Sequence, residues 1–168
     1  MSRIVKLAVL IVGGVALASS AQFAAAQTAA PAPAAAPAPQ PDYHPSLGDL
    51  MTMAVQPRHI KVGVAGKERN WTYLTYESSE LRNAFGRIGR TTPVYRSQKL
   101  SDLFAAGVIP AMDELDAAIK AKDGAKFDAA YANVTVQCNT CHAALEHAYV
   151  VIRAPQASPY ADQDFKGK

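Results

Sequence analysis

Only two cysteines occur in the 168 residues, and they lie three positions apart at Cys138 and Cys141. A disulfide between neighbours on a regular helix has poor geometry, and a structural zinc site would need two ligands from elsewhere. Charge of one sign is scarce as well. The net +3 falls to 15 basic against 14 acidic residues once Arg3 and Lys6 are set aside, which removes any general case for nucleic-acid binding. The longest apolar run at the start, Leu7 to Ala18, has twelve residues, short of the roughly 20 a membrane span needs. Alternating strand patterns and internal repeats are missing. So are paired carboxylates, a Ser-His-Asp arrangement and a phosphate loop. Beyond an alanine-rich beginning about 125 residues remain, enough for one ordinary core and too few for a large multidomain enzyme.

Residues 1–26 have the three parts of a secretory signal: a basic start at Arg3 and Lys6, the apolar run, and Ala24-Ala25-Ala26 as a cleavage site, with Ser19-Ser20-Ala21 a second one. The expectation is export to the periplasm with cleavage near Ala26; an uncleaved anchor is the alternative, and no stable membrane insertion follows cleavage. Residues 27–45 are an alanine- and proline-rich linker with Pro31, Pro33, Pro37, Pro39 and Pro41. Such a stretch favours extended polyproline-like backbone and buries no core, so it is either a semi-rigid tether or a tail without a task.

Downstream, apolar residues recur at helical spacing and predict four helices over residues 46–153. Ser46 caps the first with Asp49 in its first turn; Pro57 kinks it and Gly66 stops it. Trp71, Leu74, Ser78, Leu81, Phe85 and Ile88 stripe the second, which ends at Gly89 and Thr91-Thr92-Pro93. The third runs from Leu100 to Ile119 with a bend at Pro110, closed by Asp123-Gly124. The fourth runs from Phe127 through Cys138 and Cys141 to Ile152. Pro155 and Pro159 then forbid helix, leaving residues 154–168 as an extended tail. Residues 58–99 carry nine basic and three acidic side chains, whereas 100–168 carry six and nine. This asymmetry either orients a redox partner or reflects solvated helix faces. The fold class expected is all-α, an antiparallel up-down-up-down four-helix bundle.

Cys138-Asn139-Thr140-Cys141-His142 is C-x-x-C-H, the attachment sequence for haem c. Two thiols on adjacent turns can form thioethers with the vinyl groups on one haem edge, and the following histidine presents its imidazole to the iron. A redox dithiol would belong near a βαβ pattern, which is missing. With this motif in its last helix, the chain resembles cytochrome c-prime and its low-spin four-helix-bundle relatives over roughly Ser46 to Ile152. The resemblance implies one covalent haem c anchored by Cys138 and Cys141, with His142 as the proximal iron ligand. It departs from that family in the roughly 25 residues that follow His142, so the expectation is a haem that sits deeper along the bundle or is partly covered by the tail.

Function then turns on the sixth iron position. If the first and fourth helices are antiparallel neighbours and His142 lies about ten residues before the end of the fourth, Gln56 to Ile60 of the first should face it. His59 is therefore the first choice as distal ligand, with Met53 or Met51 as alternatives; a surface histidine and core methionines are the plainer readings. Tyr73, Tyr76 and Tyr131 are candidates to line the haem, Arg58, Lys61 and Arg153 to pair with its propionates. His147 cannot reach the other face of the same haem, and His44 lies in the leader. A filled position favours one-electron transfer with redox partner proteins. An open one favours capture or sensing of a small diatomic gas, and an open one with His59 as a distal base favours a peroxidase. Electron transfer, not catalysis, is the leading expectation, and homodimerisation through an outer helix face stays open.

Overall fold

The computed structural model describes residues 43–167; the signal sequence and nearly all of the linker lie outside the described residues. The described chain is all-α. Six α-helices follow in order, α1 (Leu47–Leu50), α2 (Gln56–Lys67), α3 (Trp71–Thr91), α4 (Leu100–Ala106), α5 (Val108–Ala121) and α6 (Gly124–Ala144). A five-residue π-helical turn, Met51–Val55, joins α1 to α2 without a break.

The first predicted helix is therefore present from its cap onward. Ser46 Oγ accepts from the Asp49 N–H at 3.1 Å and the Asp49 carboxylate accepts from the Ser46 N–H at 3.1 Å, a reciprocal capping box. Pro57 does not simply kink this helix. It lacks an N–H and crowds the carbonyl four residues back, and the chain widens one turn earlier, where the Gln56 N–H donates to the Met51 carbonyl five residues back. Nor does Gly66 act as the stop. Gly63 and Gly66 are buried where α2 meets α6: a Cβ on Gly66 would run into the Phe127 ring, and one on Gly63 into the Tyr131 hydroxyl and Pro155. The helix ends one residue later, and Arg69 takes the left-handed conformation with φ 53°.

α3 follows its predicted stripe closely, burying Leu74, Ser78, Leu81, Phe85 and Ile88, while Trp71 is half-buried edge-on to Phe127. The stripe also carries Glu77 into the interior. Between α3 and α4, where only a loop was expected, Val94–Tyr95 (β1) pairs antiparallel with Gln98–Lys99 (β2) across a turn with positive φ at Arg96 and Ser97. The third predicted helix breaks at Gly107 and not at Pro110. Pro110 sits in the first turn of α5, where backbone N–H groups have no helical partner and proline costs little.

The largest departure is at the end of the fourth helix. α6 stops at Ala144, eight residues short of Ile152, and His142 lies in its last turn. Glu146 takes φ 62°, its N–H bonds the Ala143 carbonyl and the His147 N–H bonds the His142 carbonyl, which together satisfy the helix end. The non-helical tail thus begins at Leu145 and not at residue 154. Residues 154–167 lack helix, as expected, yet the tail belongs to the same compact unit as the helices, and Phe165 is buried against Tyr73.

α2 packs on α3 and α6, and α5 packs on α3 and α6, with α4 against α3 and α5. The core between them is built from Val62, Leu74, Leu81, Leu115, Phe127 and Val134, among others. No helix among the described residues is long and apolar enough to cross a membrane.

Candidate functional site

One cavity of about 260 Å³ collects the motif residues. α6 contributes Cys138, Cys141 and His142. The π-turn and the start of α2 contribute Met51, Val55 and His59. Phe85, Phe104 and Val108 supply apolar walls from α3, α4 and α5, and Val150 and Ile152 close it from the tail. The widened turn thus lies against the site, a common place for π-helical geometry.

Both thiols are free. Burial, assisted by the neighbouring Cys141 sulfur, pushes the Cys138 thiol up to about 12, and burial raises Cys141 as well. A thiol-exchange motif needs the opposite, a thiolate favoured by nearby positive charge. His142 Nδ1 lies 2.7 Å from the Val150 carbonyl oxygen. A carbonyl only accepts, so Nδ1 carries a proton; in the neutral ring this leaves the lone pair on Nε2, which is how a metal-binding histidine is commonly oriented. Two thiols on adjacent turns, an imidazole in this tautomer and an apolar surround fit a haem held through its edge and its iron.

His59 is buried and not a surface histidine. Its Nε2 is 2.9 Å from Thr135 Oγ1, and its Nδ1 is 3.2 Å from the Tyr131 hydroxyl. The Thr135 hydroxyl also reaches the Tyr131 carbonyl at 3.0 Å, and the Tyr131 hydroxyl reaches the His59 carbonyl at 2.9 Å. The two rings stack with centroids 4.8 Å apart. Burial lowers the imidazole to about 4, so it is neutral at pH 7. His59 therefore lines the cavity with both nitrogens already engaged by α6, at Thr135, seven residues before His142 and about 10 Å up the helix. His59 comes near the motif although α6 ends two residues after His142 and not the ten expected.

Met53 is 74% exposed and lies outside the cavity, so it is neither core nor positioned as a ligand. Met51, two residues earlier, is half-buried and in the cavity wall. Of the tyrosines, Tyr131 serves His59, Tyr73 accepts a bond from Gln163 at 2.7 Å, and Tyr76 is exposed. Arg58 is committed to Glu77 and Glu80, and Lys61 lies over the Tyr160 ring. Arg153 borders a second, open pocket beneath the tail that shares Gln56, His59 and Ile152 with the first. His147 has both ring nitrogens engaged, by the Tyr95 hydroxyl at 3.0 Å and the Tyr149 hydroxyl at 2.8 Å. His44 is exposed ahead of α1. Among the described residues, no three His, Cys, Asp or Glu side chains converge as a metal cluster.

Two features escaped the sequence reading: Thr135 and Tyr131 as partners of His59, and Phe85 and Phe104 as aromatic walls. The first had a local signal, because residues 131, 135 and 138 share a face of one helix. Comparison of the chain with protein-family models, curated proteins and solved structures finds no match.

Proposed function

We propose that this chain is an exported, periplasmic monohaem c-type cytochrome that carries out one-electron transfer, with its helices arranged as an up-down-up-down four-helix bundle like that of cytochrome c-prime and its low-spin relatives. The observation that carries this reading is the convergence of Cys138, Cys141 and His142 on one apolar cavity, with the His142 Nδ1 proton committed to the Val150 carbonyl. The two thiols would anchor the haem, and His142 Nε2 would offer its lone pair to the iron. When bound, the haem exchanges one electron at its iron. Phe85, Phe104 and Val108 would set buried apolar surface against the group, and the neutral His59–Tyr131–Thr135 network would line the cavity without adding a charge. Redox proteins are the expected partners.

Met51 is the side chain best placed to complete the iron's coordination, because Met53 is exposed and the nitrogens of His59 are taken. A second reading has its own support: the remaining walls from α3, α4 and α5 are apolar, which suits an open iron that captures a diatomic gas. The peroxidase reading has less, since it asks for a base with a nitrogen available at the iron.

Absorption spectra of chain matured in a host that attaches haem c test all of this. A low-spin spectrum indifferent to carbon monoxide, turned high-spin by Met51→Ala, supports electron transfer. A high-spin spectrum that shifts with carbon monoxide favours gas binding. Absence of covalent haem would end the cytochrome reading.

A further inference from the structure

The tail does more at this site than cover it. Asn139, an unspecified position of the C-x-x-C-H motif, spends its whole side-chain amide on one tail residue. Its Nδ2 donates to the Ile152 carbonyl at 3.0 Å, and its Oδ1 accepts from the Ile152 N–H at 2.7 Å. Such a two-bond pair fixes both the position and the direction of a backbone unit, much as a strand partner would. Two residues earlier in the tail is Val150, whose carbonyl holds the His142 ring proton at 2.7 Å. Further along, Lys67 Nζ donates to the Pro155 and Gln156 carbonyls at 2.6 and 2.9 Å. The segment is thus fastened at two points, Asn139 on α6 and Lys67 on α2. The first fastening is the one beside His142.

We propose that Asn139 is a positioning residue of the haem site: by latching Ile152 it keeps the Val150 carbonyl on His142 Nδ1 and so sets the tautomer and ring orientation of the iron ligand. This rests on the cytochrome reading above. A carbonyl partner on Nδ1–H makes the opposite nitrogen a stronger donor, which favours oxidised iron. Releasing the latch frees the tail backbone at Val150, weakens that donation and shifts the balance toward reduced iron.

The test compares holoprotein of wild type, Asn139→Ala and Lys67→Met, each poised at the wild-type midpoint potential. For Asn139→Ala the ratio of reduced to oxidised protein should rise, on the order of tenfold if it follows the scale on which outer partners act on metal affinity. Lys67→Met, which loosens only the far fastening, should stay within about twofold of wild type. Unchanged redox balance in Asn139→Ala with its haem attached overturns the proposal, and so does an equal shift in Lys67→Met, because the effect would then be general loosening. If Asn139→Ala does not accumulate, Asn139→Leu decides by the same measurement. It fills a similar space with neither bond to Ile152 and adds no charge, so a shift in the same direction supports the latch and no shift overturns it. In wild-type holoprotein the His142 ring N–H should exchange slowly with solvent; free exchange counts against the latch whatever the variants do. A wild-type chain without covalent haem fails the cytochrome reading and this proposal together, whereas haem-loaded variants without a shift fail the proposal alone.

Discussion

At the scale of single residues, the buried polar groups set the most direct tests. An unfolded histidine takes up its proton near its ordinary 6.5, whereas folded His59 does so only near 4. Between those values the unfolded chain binds more protons, so stability falls as pH drops from about 6.5 to 4, by about 3 kcal/mol in total. Above pH 6.5 this group adds no slope. Thermal melts between pH 4 and 7 should show a decline in wild type that is largely lost in His59→Gln. The groups facing the ring from α6, Tyr131 and Thr135, stay neutral throughout and leave His59 as the titrating member.

Glu77 is another buried polar residue. Its carboxylate is fully buried and takes both oxygens to Arg58 Nη1, at 2.9 and 3.2 Å, while Arg58 keeps 27% of its side chain exposed. Breaking the pair from either side is therefore unequal. Arg58→Ala strands a buried charge and should cost about 3 kcal/mol in urea unfolding, the low end for a broken buried pair because Arg58 is only partly desolvated. In Glu77→Gln the arginine can turn to water, and the loss should be clearly smaller. Equal losses would mean that packing, not charge, dominates there.

At the scale of elements, helix ends recur as a theme. α2, α5 and α6 each finish with a left-handed residue that is not glycine, namely Arg69, Lys122 and Glu146. The pairs of backbone bonds that follow, such as Asp123 N–H to Ala118 and His147 N–H to His142, satisfy the last carbonyls. An L side chain costs about 1–2 kcal/mol in that conformation, part of which a glycine gives back through the entropy of the unfolded chain. Lys122→Gly should consequently stabilise the protein by about 0.5–1 kcal/mol, raising the urea midpoint with no change in slope. Arg69 is a poorer place for this change, since its guanidinium grips both Asp128 oxygens at 2.9 and 2.7 Å.

These same ends explain where periodicity misled. The stripe through Leu145, Ala148 and Ile152 continues the helical spacing of α6, and no glycine marks a stop. The chain nevertheless turns at Glu146, because Asn139 and His142 capture the backbone at Ile152 and Val150. Spacing alone cannot register a competition between a helix and partners a dozen residues away.

At the scale of the whole molecule, the tail is held to the helices by widely separated anchors. Phe165 is buried edge-on to Tyr73 with centroids 5.7 Å apart, its carbonyl accepts from Asn70 Nδ2 at 3.1 Å, and Gln163 reaches the Tyr73 hydroxyl. Phe165→Ala should cost about 3 kcal/mol by the loss of a buried ring and should open the tail to protease ahead of global unfolding. Cleavage in Asp162–Lys166 that is no faster than in wild type would show that the tail is held elsewhere, as at Lys67.

Local pattern in the sequence was enough for the helical class, for the caps or starts at Ser46, Trp71 and Leu100, for the buried stripes, and for the placing of Cys138, Cys141 and His142 together on the last helix. Those properties are local: 3.6-residue periodicity, capping side chains and a five-residue motif act over one or two turns. Tertiary structure decided the rest. It turned α6 at Glu146, brought His59 onto Tyr131 and Thr135, sent Met53 to solvent while Met51 lines the cavity, and laid the tail against His142. Each of these depends on which surfaces meet, and that follows from the packing of α2 and α6 at Gly63 and Gly66, where the missing Cβ atoms allow an approach no local pattern records.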